Sequence, residues 1–218
     1  MSISNTSDMF SSLFNTFTTL AILVGVVVFS LMAYLLVKYR ARAGQADPED
    51  APRLGVMPVP RGHLRTAVVS VGLSSIILGV LIFGTLAVTN TINTIPADCT
   101  PPPGDCLYIY VTGFRFGWSF TYPNGKVLTD NLTIPLGRTV VLRISSIDVF
   151  HSFGIDDFRA KKDALPGLTN SMWFIANSLG PHIARCFELC GTQHAFMTAK
   201  VSVISGSSFS GFCSSSGC

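Results

Sequence analysis

Between residues 9 and 37 the chain carries no charged side chain and is crowded with Leu, Val, Ile and Phe. A second uncharged run covers residues 66–97, with its apolar part at 67–88. Each is longer than the ~20 residues a helix needs to cross ~30 Å of hydrocarbon. Backbone groups in lipid must bond to one another, so both runs predict transmembrane helices, at about 14–37 and about 66–90. The loop between them, 38–65, holds Lys38, Arg40, Arg42, Arg53, Arg61 and Arg65 against Asp47, Glu49 and Asp50. That excess keeps the loop cytoplasmic and places both termini, and everything after the second helix, outside. No Lys or Arg occurs in residues 1–15, which argues against a cleaved signal peptide. The expectation is a two-pass protein of the cell membrane.

Beyond Leu107 the pattern changes to short apolar and aromatic runs broken by Gly, Pro and Asn. Residues 107–112, 116–122, 139–145, 171–176 and 199–204 read as strands. In the third, Val140, Leu142 and Ile144 share one face while Thr139, Val141 and Arg143 take the other. Turn signals such as Pro123-Asn124-Gly125 and Leu179-Gly180-Pro181 separate them. No helix-length period lies between the strands, so the expectation is an all-β sandwich and not an α/β domain. The chain then divides into a helical hairpin at 1–97, an extracytoplasmic β domain at 98–205 and a Ser/Gly-rich tail at 206–218.

Composition agrees with a membrane anchor: 48% of residues are hydrophobic and 12% charged, against about 25% charged in ordinary soluble domains. The net charge of +3 is too small and too evenly spread to imply nucleic acid.

The six cysteines form three close pairs. Cys99 with Cys106, and Cys213 with Cys218, are disulfide candidates in an oxidising outer compartment. The third pair differs. Cys186 and Cys190 stand with His194 and Met197 in a twelve-residue stretch, between the end of one strand and the start of the last. A further imidazole, His151, opens an apparent strand upstream. Thiolate, thioether and imidazole together favour copper. A mononuclear blue-copper site uses one Cys, so the second thiolate is unexplained unless two sulfurs bridge two ions. His151 and His194 would then serve one copper each, with Met197 and the Glu188 carbonyl as weak ligands. A tetrahedral zinc site leaves Met197 without a role. A Cys186–Cys190 disulfide and a thioredoxin-like copper chaperone also remain open, although a chaperone expects a βαβ domain and a single anchor.

With its Cys-x-Glu-x-Cys-x3-His-x2-Met run and upstream Asp148-Val149-Phe150-His151-Ser152, the chain resembles subunit II of the cytochrome c oxidase family. Residues 158–167 and Gly117-Trp118-Ser119-Phe120-Thr121-Tyr122 carry the likeness further. The resemblance implies a hairpin joined to a Greek-key cupredoxin domain. It implies a dinuclear CuA centre at His151, Cys186, Glu188, Cys190, His194 and Met197, with the Glu188 carboxylate helping to bind Mg or Mn against subunit I. Electrons from cytochrome c or a cupredoxin would pass through CuA to haem in subunit I, where oxygen becomes water. Partners would be subunit I, other oxidase subunits, the external donor and the membrane.

Departures also count. Where the family has a Trp that accepts electrons, this chain has Phe116, so Phe116 and Trp118 are candidate docking residues, with a place in the core as the alternative reading, for Trp118 at least as strong. Acidic residues to attract a basic cytochrome are few, and Asp156 and Asp157 are followed at once by Arg159, Lys161 and Lys162. A family carboxylate near the start of the second helix is missing from residues 63–69. His63 is read as an interfacial residue and His182 as a loop residue.

Overall fold

The computed structural model describes residues 3–40, 62–99 and 106–213, with Gly44 and Gly55. It divides into two compact units, Leu13–Thr85 and Met1–Ser12 with Leu86–Cys218.

The first unit holds most of α1 (Asn5–Lys38) and of α2 (Leu64–Asn93), whose outer ends belong to the second. Both helices are long and apolar enough to cross a membrane, and their most apolar stretches are not buried inside the protein. Exposed Val26, Val27, Leu36, Val69, Ile76 and Phe83 line them, a helix surface suited to hydrocarbon.

The second unit is a β-sandwich, with β1 (Leu107–Phe114), β2 (Gly117–Thr121), β3 (Val127–Thr129), β4 (Asn131–Pro135) and β5 (Thr139–Ser146) followed by β6 (His151–Ile155), β7 (Ala160–Ala164), β8 (Asn170–Ile175), β9 (Gly180–Cys186) and β10 (Thr198–Ile204). One sheet has the order β3-β2-β1-β5-β8 and the other β4-β10-β9-β6-β7. The β1–β5 and β4–β10 pairs are parallel, as crossover connections between two sheets require. Alternation decides which side chains meet in the middle. Leu107, Ile109 and Val111 of β1, Trp118 and Phe120 of β2, and Phe153 and Ile155 of β6 are buried against one another.

Strands β3, β4, β7 and β9 (Gly180–Cys186) lie outside the ranges the sequence pattern predicts. β3 and β4 are separated by Asp130 alone, which adopts a positive φ and whose carboxylate accepts the Trp118 N–H at 2.7 Å. β7 contains Lys161, Lys162 and Asp163 and lies at a sheet edge, where charge blocks further strand pairing.

Both ends of the chain also differ from expectation. α1 begins at Asn5 because the polar N-terminus is held by the sandwich. Ser4 pairs with Ala176, the Asn177 N–H donates to the Ile3 carbonyl at 2.9 Å, and the Thr6 hydroxyl donates to the Phe158 carbonyl at 2.6 Å. Ser4 also caps the helix, its Oγ accepting the Ser7 N–H at 3.1 Å. At the other end the Ser/Gly-rich segment contains α3 (Gly206–Cys213), anchored by buried Phe209 and by Phe212, whose ring lies 5.4 Å from that of Tyr122. Cys99 and Cys106 form a disulfide. Cys213 is buried, while Cys218 lies outside the described residues.

Candidate metal centre

Three strands of one sheet bring the sulfur and nitrogen donors together. β9 ends at Cys186, and its neighbour β6 pairs Phe153 with Cys186, so His151 at the head of β6 arrives beside it. On the other side β10 is antiparallel to β9, and the Cys186 N–H donates to the Met197 carbonyl at 3.0 Å. That bond closes the neck of the loop 187–197 and returns Met197 to the level of Cys186. The Phe187 N–H donates to the Ser152 carbonyl at 2.9 Å and fixes the loop to β6.

Within this frame the Cys186 and Cys190 sulfurs lie 4.0 Å apart as free thiols. A disulfide needs about 2.0 Å, whereas an ion with metal–sulfur bonds of about 2.3 Å can touch two sulfurs at this separation. His151 Nδ1 is 3.8 Å from the Cys186 sulfur, and His194 Nδ1 is 3.7 Å from that of Cys190. The Met197 sulfur stands 3.7 Å from Cys190, and the Glu188 carbonyl oxygen 3.3 Å from Cys186. His151, Cys186 and Cys190 have ligand atoms mutually within 4.8 Å. Each thiol is thus flanked by one imidazole and one weaker donor, a distribution that fits two soft ions as well as one. Met197 is fully buried, so its thioether is presented to the cluster and not to solvent.

Burial, followed by the nearby Cys186 sulfur, pushes the Cys190 thiol above its ordinary range. Loading a metal therefore has to displace a proton, which a soft cation does by binding the thiolate.

Asp148, quoted above only as part of a motif, has a definite place in the site. Its Oδ1 is 2.9 Å from His151 Nε2. Burial works against ionisation of Asp148. Hydrogen bonds from His151, from the Val149 and Arg115 N–H groups and from Ser146 outweigh it and hold the carboxyl well below the usual carboxylate range. An ionised carboxylate there keeps the proton on Nε2 and leaves the Nδ1 lone pair facing the sulfur, the arrangement metal-binding histidines use. The signal in the sequence was an acid three residues before a candidate ligand.

Two expectations need correction. Trp118 cannot be a docking residue, because it is fully buried. It sits on the inward face of β2, edge-on to Phe153 at 4.9 Å and to His151 at 5.9 Å between ring centres. Phe116, two residues earlier, is only partly buried, and its ring lies over Gly191 of the ligand loop, 3.1 Å from where a Cβ would be. His182 belongs to β9, not to a loop, and has a partner: its Nδ1 lies 2.7 Å from Asp157 Oδ2, with Phe158 packed on its ring.

Residues 124–204 match the family model described as cytochrome c oxidase subunit II, periplasmic domain. The haem–copper oxidase subunit 2 of Aeropyrum pernix is 36% identical over 96% of this chain and 90% of its own length. The chain belongs to the subunit II family of haem–copper oxidases. Cytochrome c oxidase subunit 2 of Alkalihalophilus pseudofirmus is 34% identical over 82% of this chain and 50% of that longer protein. Among solved structures, the periplasmic domain of cytochrome oxidase subunit II from Bradyrhizobium japonicum is 28% identical. It covers 56% of this chain and 96% of that one with a TM-score of 0.50. The subunit is accordingly a membrane protein and a component of an oxidoreductase complex, with two apolar helices and a cupredoxin-type sandwich. Its family implies copper, and the Cys/His cluster is a site able to hold a metal.

Proposed function

We propose that this subunit holds a dinuclear CuA centre on Cys186 and Cys190, His151 and His194, Met197 and the Glu188 carbonyl, and relays electrons from an external carrier to haem in subunit I. The observation that carries this reading is the pair of free thiols 4.0 Å apart, each with its own imidazole. When bound, the copper pair supplies a one-electron store whose geometric change is shared between two ions.

The protein's part is to prevent those ions from rearranging. His151 is held by Asp148 on one side and packed by Trp118 on another, and the loop neck at Cys186–Met197 fixes the sulfur positions. A sandwich that cannot relax between oxidation states keeps the cost of electron transfer low. Phe116, over the Gly191 backbone and partly open to solvent, is the surface at which electrons are received. The half-buried Glu188 side chain is free to share a Mg or Mn ion with subunit I. The hairpin spans the cell membrane with its basic loop inside, and residues 98–205 form the copper domain outside.

A chaperone role is disfavoured by the all-β sandwich and the two-helix anchor. Copper analysis of the purified complex tests the reading: two ions bound by this chain support it, while one or none would exclude it.

A further inference from the structure

Two loops beside the ligands form one neutral face. The β1–β2 turn and the β5–β6 loop are joined where the Arg115 N–H donates to Asp148 Oδ2 at 2.8 Å and its Nε approaches the same oxygen at 3.4 Å. The Ile147 N–H donates to the Gly113 carbonyl at 3.1 Å, so the loop is pinned by its backbone. What it presents is apolar. Ile147 is 73% exposed and Phe150, next to His151, is 40% exposed, with the Phe116 ring nearby on Gly191.

The aspartates from Asp130 to Asp163 are already engaged. Asp148 serves His151 and Arg115, Asp130 accepts the Trp118 N–H, and Asp163 accepts the Ser152 hydroxyl at 3.0 Å. Asp156 is 2.7 Å from Arg185, and Asp157 is 2.7 Å from His182. A carrier surrounded by lysines gains its speed from unpaired acids on the acceptor, and among the described residues of these two loops the acid is Asp148, already paired with Arg115.

We infer that this face receives an electron carrier whose docking surface is apolar and uncharged, and that Ile147 and Phe150 set this preference. The inference rests on the copper centre proposed above, since it concerns the route by which that centre is reduced. Exclusion of water from the contact between apolar surfaces supplies the attraction, and the neutralised Asp148 avoids leaving a charge stranded beneath it. Without steering, association falls to about 10⁵–10⁶ M⁻¹ s⁻¹ and changes little with salt.

The test is stopped-flow reduction of the detergent-purified oxidase by two reduced carriers. One is a blue-copper protein with a charge-free apolar face around its copper ligand, and the other a lysine-rich c-type cytochrome. The apolar carrier is expected to reduce the wild-type complex with a rate constant that varies less than about twofold as salt screening increases. The basic cytochrome is expected to be at least about tenfold slower at physiological salt. Ile147→Glu should slow the apolar carrier about tenfold, by forcing a charge into the contact, and should speed the basic one at low salt. If that variant loses its purple absorption, Ile147→Ser, which adds no charge, takes its place and should slow the apolar carrier alone.

Fast, steeply salt-dependent reduction by the basic cytochrome in a complex with intact purple absorption would overturn this inference and leave the copper reading standing. Reduction unchanged by both variants would also overturn it, as expected if subunit I covers the face. Wild-type complex without purple absorption would defeat the copper reading, and this inference with it.

Discussion

Asp148 Oδ1 lies 2.9 Å from the Nε2 of His151, whose Nδ1 faces the Cys186 sulfur at 3.8 Å. One carboxylate thereby sets the tautomer and the direction of a proposed ligand that is itself fully buried. Replacing it with alanine frees the ring to turn and leaves the Arg115 and Val149 N–H groups without their acceptor. Asp148→Ala should weaken copper binding about 10–100-fold and shift the centre's reduction potential. Asp148→Asn, which keeps an acceptor oxygen, should lose less. Competition titration with a copper chelator and a potentiometric titration would check both, and equal losses in the two variants would count against the positioning role.

Close packing behind the same ring gives a second prediction. A Cβ added at Gly113 would lie 3.1 Å from both the His151 and Trp118 rings, which are fully buried and have no space to retreat. Gly113→Ala should therefore displace His151, broadening the copper spectrum and lowering copper affinity. It should also destabilise the domain by about 1–3 kcal/mol, the usual cost of overpacking. Absorption spectroscopy and denaturant unfolding measure the two effects separately.

Tyr122 gives a prediction about pH. Its buried hydroxyl donates to the Thr133 carbonyl at 2.8 Å and accepts the Thr133 N–H at 2.7 Å. Burial pushes its pKa up to about 12, whereas an unfolded tyrosine titrates near about 10. Between those values the folded chain binds the extra proton. Stability is therefore full below pH ~10 and falls by about 3 kcal/mol as pH rises to ~12. Tyr122→Phe should lose about 1–3 kcal/mol at neutral pH through the unpaired Thr133 groups, and should lack this share of the alkaline fall. Unfolding followed by the fluorescence of Trp118 and Trp173 would read both.

The Cys99–Cys106 bridge closes a short loop and underlies a small cluster with Val141 and Trp173. The Tyr108 hydroxyl also donates to the Cys99 carbonyl. Cys99→Ser with Cys106→Ser should cost about 2–3 kcal/mol by loop entropy while leaving copper content unchanged, since neither sulfur belongs to the proposed ligand set. Parallel unfolding and copper assays test this, and lost copper in the double variant would contradict the separation of the two sites.

How much of this was legible in the sequence follows from where the forces act. The hairpin was legible because exclusion of charge over a membrane-length run is a local property of the chain. Strands such as β1 and β5 were legible because one sheet face is buried and the alternation survives. β7 was not, because an edge strand has no need of apolar residues, and α3 was hidden because Phe209 and Phe212 are its only large anchors among serines and glycines. The start of α1 at Asn5 depends on hydrogen bonds to Phe158 and Ile175, more than 150 residues away, which no local pattern reveals. At the site, donor types and spacing identified the ligand candidates. The burial of Trp118 and the grip of Asp148 on His151 emerged only when β2 and the β5–β6 loop were placed side by side.

Electron paramagnetic resonance of the oxidised, purified complex, paired with copper quantification, tests the central claim most directly. The account predicts two coppers on this chain and a hyperfine pattern from one unpaired electron shared equally between both nuclei. A single copper with its electron confined to one nucleus would contradict it, as would Cys186 and Cys190 bonded to each other in every redox state.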